Sequence, residues 1–430
     1  MSNMAQTVLS FKLESTNDQL TANAGLALFG EFIRGQGFYR WIEATMPVPG
    51  SGRGYAASAY LSPLILMLTG GGRSLEDVRM LKHDHALSAL LKTEPLPRGG
   101  TDALGAWLRR TGTGVGYAGL SRINQQVVAR RIRQCGVTQH TFDGDATQIV
   151  AEKRDAAFTY KGEQGYMPMV GHLAEAGVIL YDEFREGNVA PATNNLAFIQ
   201  ASEAQLPKGH NIAHVRLDSA GYQAGIFNYC EATGKTFAIG GRLDAPTLKV
   251  IGDIPELAWT HYADCSVAET LHSMNETAKA FRLIVVKYKR QAALFDDAPH
   301  YHAIASNRVE STEATLLWYR QRGEVSENGI KEIKLGFGME RMPCGQFAAN
   351  AAFFRIGVIA HNLFVLFKQS VLGGDWKKHK VTTVRWRLFH LPGKVVRHAG
   401  VLVLKVADKF LALFRDIRQQ SFEQSQVLSL

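Results

Sequence analysis

The chain has 430 residues, 46% of them hydrophobic, which is enough to bury more than one core and argues against low-complexity disorder. Lys and Arg outnumber Asp and Glu by 48 to 39, and the resulting +9 fits a polyanionic partner such as nucleic acid. The four cysteines, Cys135, Cys230, Cys265 and Cys344, form no CxxC pair, which argues against a zinc knuckle or a disulfide framework and fits a reducing cytoplasm.

The start, MSNMAQTVLSFKLEST, lacks the basic residues and apolar run of a secretory signal, so no export is expected. From Asn23 to Arg133 apolar residues recur every three or four positions, in GLALFGEFIRGQGFYRWI, YLSPLILMLTGGG and SLEDVRMLKHDHALSALLK, which predicts helices. In LPRGGTDALGAWLRRTG, Thr101 stands as an N-cap before a helix carrying Arg109 and Arg110. This stretch reads either as a helix-turn-helix DNA reader or as a plain helical bundle.

Near Gln139 the texture turns to β: QHTFDGDATQIV, AAFTYKG, YMPMVGHLA and VILYDEF read as successive strands. A helix (NNLAFIQASEAQL), a strand (HNIAHVRLDS), a helix (GYQAGIFNYCEATG) and a strand (KTFAIGGRL) follow, an α/β order around one mixed sheet. The expected organisation is a helical N-terminal domain over 1–135, an α/β domain over 136–244 and 307–368 with a β-rich insertion at 245–306, and a basic helical region over 369–430. The apolar run Ala351–Phe367 carries Arg355, His361 and Asn362, so it reads as a buried helix rather than a membrane span. Between Trp376 and Gly400 the chain has Lys377, Lys378, Lys380, Arg385, Arg387, Lys394 and Arg397 and no acid, which is either a DNA-tracking surface or the solvated face of a helical region.

Strand alternation in HTFDGDAT puts Asp143 and Asp145 on one face with Thr141 and Thr147. Asp218 ends the strand HVRLD, where open α/β sheets bind ligands. In WYRQRGEVSENGIKEIKLGF, Ile330, Ile333 and Phe337 keep helical spacing, so Glu327 can face the sheet. Carboxylates from different elements are what two-metal phosphoryl transfer requires, because Mg2+ and Mn2+ favour hard oxygen donors.

These residues resemble the DDE transposases of bacterial insertion sequences, in particular the group numbered thirteen-eighty, related to the group-four type, over most of the chain. DGDAT is similar to the first-aspartate strand, RLDSAGY to the second, and Tyr319, Arg322, Glu327 and Lys334 resemble the pattern Tyr-x2-Arg-x3-Glu-x6-Lys. One spacing departs: four residues, not three, separate Arg322 from Glu327. The resemblance implies a ribonuclease H-like mixed sheet with a β-rich insertion and helical flanks. It implies that Asp145, Asp218 and Glu327 bind Mg2+ or Mn2+ and carry catalysis, with Asp143 as the alternative first ligand. It implies further that Tyr319, Arg322 and Lys334 contact DNA, joined by Lys377, Lys378, Arg385 and Arg387 if the tail binds as well. The implied partners are double-stranded DNA, as transposon ends and target, and a second copy of the chain in the DNA complex, with no membrane and a location on the chromosome. A nuclease of the same fold that does not join ends, and a domesticated DNA-binding protein, are the alternatives.

Other motifs have plainer readings. ATGKT at Ala232 to Thr236 lacks the phosphate-loop glycine, because Tyr229 stands there. The pairs His83 and His85, His210 and His214, and His300 and His302 have no accompanying ligand context. Trp318 is either a base-stacking ring or a core aromatic.

Overall fold

The computed structural model describes residues 8–9, 11–51, 54–92, 100–288 and 300–426. Part of the LPRGGTDALG stretch and of the N-terminal segment lies outside the described residues.

A nine-stranded mixed sheet organises the chain: β1 (Gln139–Ala146), β2 (Met169–Leu173), β3 (Val178–Glu183), β4 (Asn211–Leu217), β5 (Thr236–Gly240), β6 (Thr260–Tyr262), β7 (Cys265–His272), β8 (Phe281–Tyr288) and β9 (His300–Ser306). Their order across the sheet is β6-β7-β8-β9-β5-β4-β1-β2-β3. β2 is antiparallel to β1 and to β3, whereas β4 runs parallel to β1 and β5 parallel to β4. The five strands β3-β2-β1-β4-β5 form the mixed part of this sheet, in keeping with the α/β order expected from the sequence. The strands within 245–306 continue this sheet, because β9 pairs antiparallel with β5 through Ile304↔Gly240 and Ser306↔Ala238.

Parallel strands need crossovers, and here they are helices: Asn195–Glu203 between β3 and β4, and Ala224–Ala232 between β4 and β5. Phe198, Ile226 and Phe227 from those helices pack with Phe142, Val215 and Leu217 in one core beneath the sheet. Two glycines leave room for this core. A Cβ at Gly171 would lie 2.4 Å from the Phe142 ring, and one at Gly144 would lie 2.8 Å from Leu217 and 3.0 Å from that ring.

The expected strand AAFTYKG is reduced to Ala157–Phe158. It joins Ile149–Val150 and Gln164–Tyr166 in a small side sheet. The polar turn before it is held by Gln164, whose amide donates to the carbonyls of Lys153 and Ala156, so the chain cannot run straight into the main sheet.

Helices α1 (Ala24–Gly35), α2 (Ser58–Gly70), α3 (Gly100–Thr111) and α4 (Gly114–Cys135) surround α5 (Phe347–Phe367). α1 stops at Gly35, and Gly37, with a φ of 81°, breaks the helix that GLALFGEFIRGQGFYRWI would otherwise form. The segment 75–91 is broken in the same way. Asp84 ends one short helix and caps Leu87 N of the next at 2.9 Å. α5 is the one described helix apolar and long enough to cross a membrane, and its most apolar stretch is buried inside the protein. Arg355 on α5 is neutralised by Asp182 of β3 at 2.9 Å, while Asn362 donates to Asn124 of α4 at 2.8 Å.

The tail is less uniformly helical than its sequence texture predicts. Gly393–His398 and Val401–Lys405 form a hairpin, turned by Ala399 and Gly400 at φ 46° and 79°, and Gln19–Thr21 adds a third strand. The last helix, α6 (Asp408–Gln426), returns to α1, where Arg418 meets Glu31 at 2.8 Å.

Candidate active site

β1 and β4 bring the first two carboxylates together through their register. Asp143 pairs with Arg216 and Gly144 with Leu217, so Asp145 and Asp218 follow side by side at the same end of two parallel strands. Neighbouring strands lie about 4.8 Å apart. Asp218 ends β4, and its Oδ1 accepts from Ala220 N at 3.0 Å, capping the turn Ser219–Gly221.

The third carboxylate comes from a helical run that crosses the sheet. Ser311 caps it by accepting from Ala314 N at 3.2 Å, and Leu316 and Tyr319 bury its first turns. The segment Gly323–Glu327 then widens to a π-turn before helix resumes at Asn328. A π-turn holds one residue more than an α-turn, so it absorbs the extra residue between Arg322 and Glu327. Arg322 and Glu327 therefore stay on one face. Arg322 donates to Asp145 Oδ2 at 3.0 Å and to Glu327 Oε1 at 3.3 Å, joining the helix to the strand end.

The charges in this pocket oppose one another. Burial pushes the Asp145 carboxyl up to about 6, with Asp218 and Glu327 raising it further and Arg322 pulling it down. Glu327 is exposed, at 62% of its side chain, whereas Asp145 is largely covered at 16%. Asp145, Thr147, Gln148, Glu327, Lys331 and Lys334 line a cleft of about 520 Å³.

Asp143 lies on the same strand face but has a different partner. Its two oxygens accept from Arg216 Nε and Nη2, both at 2.7 Å, and both side chains are sealed from solvent. Arg216 also donates to Trp318 O at 2.7 Å and stands 5.0 Å over the Trp318 ring. Asp143 thus ties β1 to β4 and to the helix above.

The transposase DDE domain group 1 family matches residues 6–420. The chain belongs to that family. No curated protein sequence matches it. Among solved structures it is similar to a piggyBac transposase synaptic complex with hairpin DNA, with 11% identity and a TM-score of 0.44 over 87% of this chain and 83% of that one.

Within this DDE chain the other sequence-predicted residues separate by burial. Tyr319 is buried and packs with Leu316 and Ile304, while its hydroxyl lies beside Gly240 and hydrogen-bonds to Arg322, close to Asp218. Lys334 donates to Gln148 O at 2.8 Å, pinning the chain just beyond Asp145 to the helix. Arg385 is internal: it donates to the carbonyls of Thr69 and Leu68, both at 2.6 Å, and ties the tail to α2. Lys377 and Lys378 are exposed, as is Arg387, which contacts His379 at 2.7 Å and lies 5.1 Å over Trp376. Trp318 has two guanidinium groups over its ring, Arg216 at 5.0 Å and Arg308 at 4.0 Å. Sequence reasoning missed Lys331 and Arg216. The fixed offset between HVRLD and TFDGD, two parallel strands ending in aspartate, was the available signal for Arg216.

The residues present fit a hard divalent cation. Three carboxylates converge where their mutual repulsion is offset by one guanidinium, and a cation would relieve it more fully. Among the described residues, no three His, Cys, Asp or Glu side chains are gathered tightly enough to hold an ion without movement. Arg322, placed between Asp145 and Glu327, is the group that has to yield.

Proposed function

We propose that this chain is a transposase that cuts DNA at the inverted ends of an insertion sequence and joins the freed ends to target DNA, with Asp145, Asp218 and Glu327 as its metal-binding carboxylates. One observation carries the reading most: two aspartates end adjacent parallel strands, and a helix brings a glutamate to the first of them through a shared arginine. Mg2+ or Mn2+ bound there would supply charge to activate the attacking oxygen and stabilise the leaving one. The chain's own groups do the positioning. The strand ends hold Asp145 and Asp218 rigidly, and Lys334, by gripping Gln148 O, keeps the cleft wall in register with the helix that carries Glu327. Arg322, once freed from the carboxylates, is placed to meet a phosphate oxygen with its planar fork. The exposed Lys331 adds positive charge to the cleft rim.

Water and a DNA 3′-hydroxyl can occupy the same attacking position in turn, so one set of carboxylates serves cutting and joining. Handling two ends together calls for a homodimer on double-stranded DNA, with the chromosome as the place of action. Replacing Asp218 with Asn tests the reading. Metal-dependent cleavage of an end duplex should vanish while DNA affinity stays within a few-fold, and retained cleavage would remove Asp218 from the site. Joining of pre-cut ends to a plasmid separates a transposase from a nuclease.

A further inference from the structure

A second cleft, of about 710 Å³, opens beside the carboxylate cleft between α3 and the loop 341–346. Four cationic side chains line it, Arg73, Arg109, Lys153 and Arg341, against two acids, Glu76 and Asp102. One acid is already engaged, since Glu76 meets Arg79 at 2.9 Å. Arg109, Lys153 and Arg341 form no ion pair among the described residues. Lys153 and Arg109 lie near enough to buried Cys344 on the cleft wall for their charge to act on its thiol. Cations gathered without counter-ions repel one another, and an anionic occupant relieves that repulsion.

The two clefts share a wall. Glu340 lines the first, and Arg73 of the second donates to Glu340 Oε1 at 3.1 Å and to Leu335 O at 3.3 Å. The segment that carries Ile149 and Val150 along the first cleft supplies Lys153 to the second. Lys331 and Lys334 thus stand on one side of this wall and Arg341, Arg109 and Lys153 on the other. A small anion needs one or two such groups. Several of them, spread over two adjoining clefts, fit a polymer with a charge at every step of its backbone.

We infer that this second cleft holds the phosphate backbone of the DNA flanking the scissile bond, on one side of the carboxylates. The inference rests on the proposed function for its ligand, and it adds a surface that function does not specify. Its contacts are to backbone, so they set register and affinity without reading sequence.

The test is the salt dependence of binding to an element-end duplex, for the unaltered chain and for Arg109→Gln, Lys153→Gln and Arg341→Gln combined. Each lost phosphate contact flattens the log–log slope by about 0.9, so the triple variant should lose roughly two to three units. A slope equal to that of the unaltered chain overturns the inference. Should the triple variant not fold, amine labelling of the unaltered chain decides. DNA should protect Lys153 but not Lys208, which lies before the opposite end of β4, and equal labelling of Lys153 with and without DNA overturns it. If the unaltered chain cuts end DNA while both measurements are negative, only this cleft is lost. If Asp218→Asn still cuts, the proposed site falls instead.

Discussion

Replacing Asp143 with Asn separates the two aspartates of β1 more sharply than activity alone. The Asp143–Arg216 pair is bidentate, with both bonds at 2.7 Å and exposures of 0% and 2%. Removing one partner of a buried pair leaves the other charge uncompensated, at a cost of about 3–5 kcal/mol. Against a typical stability of roughly 5–15 kcal/mol that is a large share. Arg216 also holds Trp318 O, so the loss loosens the contact between β4 and the helix that carries Glu327. Urea unfolding followed by tryptophan fluorescence should show a much lower midpoint for Asp143→Asn, with cleavage persisting in the folded fraction. Asp145→Asn should do the opposite. Burial already disfavours the Asp145 charge, and an amide still accepts from Arg322, so the midpoint holds while cleavage disappears. Replacing the buried pair as a whole, with Asp143→Leu and Arg216→Met, should recover much of the stability. An unchanged midpoint for Asp143→Asn, or a collapse for Asp145→Asn, would refute the assignment of structural and metal-binding roles.

Three further outcomes follow from the same geometry. Asp145 titrates at about 6 in the folded chain against 3.8 ordinarily, so its protonation favours the fold at low pH and that contribution is lost as pH rises from about 4 through 6. Protons then compete with metal, and Mn2+ affinity measured by calorimetry should fall about tenfold per pH unit below 6; a flat profile would contradict this. A Cβ at Gly329 would sit 2.5 Å from His172 Nε2, so Gly329→Ala should push the glutamate-bearing helix off the sheet and slow cleavage by roughly ten- to a hundred-fold, while Gly252→Ala, with open space around it, leaves the rate alone. In the tail, Lys377, Lys378, Lys380 and Arg387 changed together to Gln should flatten the salt slope of DNA binding by about one unit per contact, and an unchanged slope would leave the tail as structure. Arg385 is omitted from that set because it is buried against α2.

Local pattern was sufficient wherever one short-range force dominates. Alternation and β-branched residues located β1 to β5, and helical spacing located α2 and α5, because burial of one face acts residue by residue. The three carboxylates proposed as metal ligands stood out in the sequence for a related reason. Strand ends and a helix face are local features, and the recurring spacing around Glu327 added a family resemblance that the family match at residues 6–420 supports.

Register and partner choice needed the tertiary structure. Asp143 and Asp145 share a strand face, and nothing in TFDGDAT says which one meets Arg216; the parallel offset of β4 against β1 decides it. The extra residue after Arg322 was visible as a spacing departure, but its absorption in a π-turn depends on helical packing against the sheet. Arg385 and Arg387 lie two positions apart in one basic run, yet one is bonded inside and the other faces solvent. The tail hairpin did leave a trace, the alternation in VLVLK after Ala399 and Gly400, which the surrounding basic residues masked. Composition and periodicity therefore determined the elements and the candidate chemistry of this protein. Which charges are spent in holding it together, and which remain free for a ligand, was decided by long-range pairing, because a charge is neutralised by whatever lies within a few ångströms and not by its neighbours in sequence.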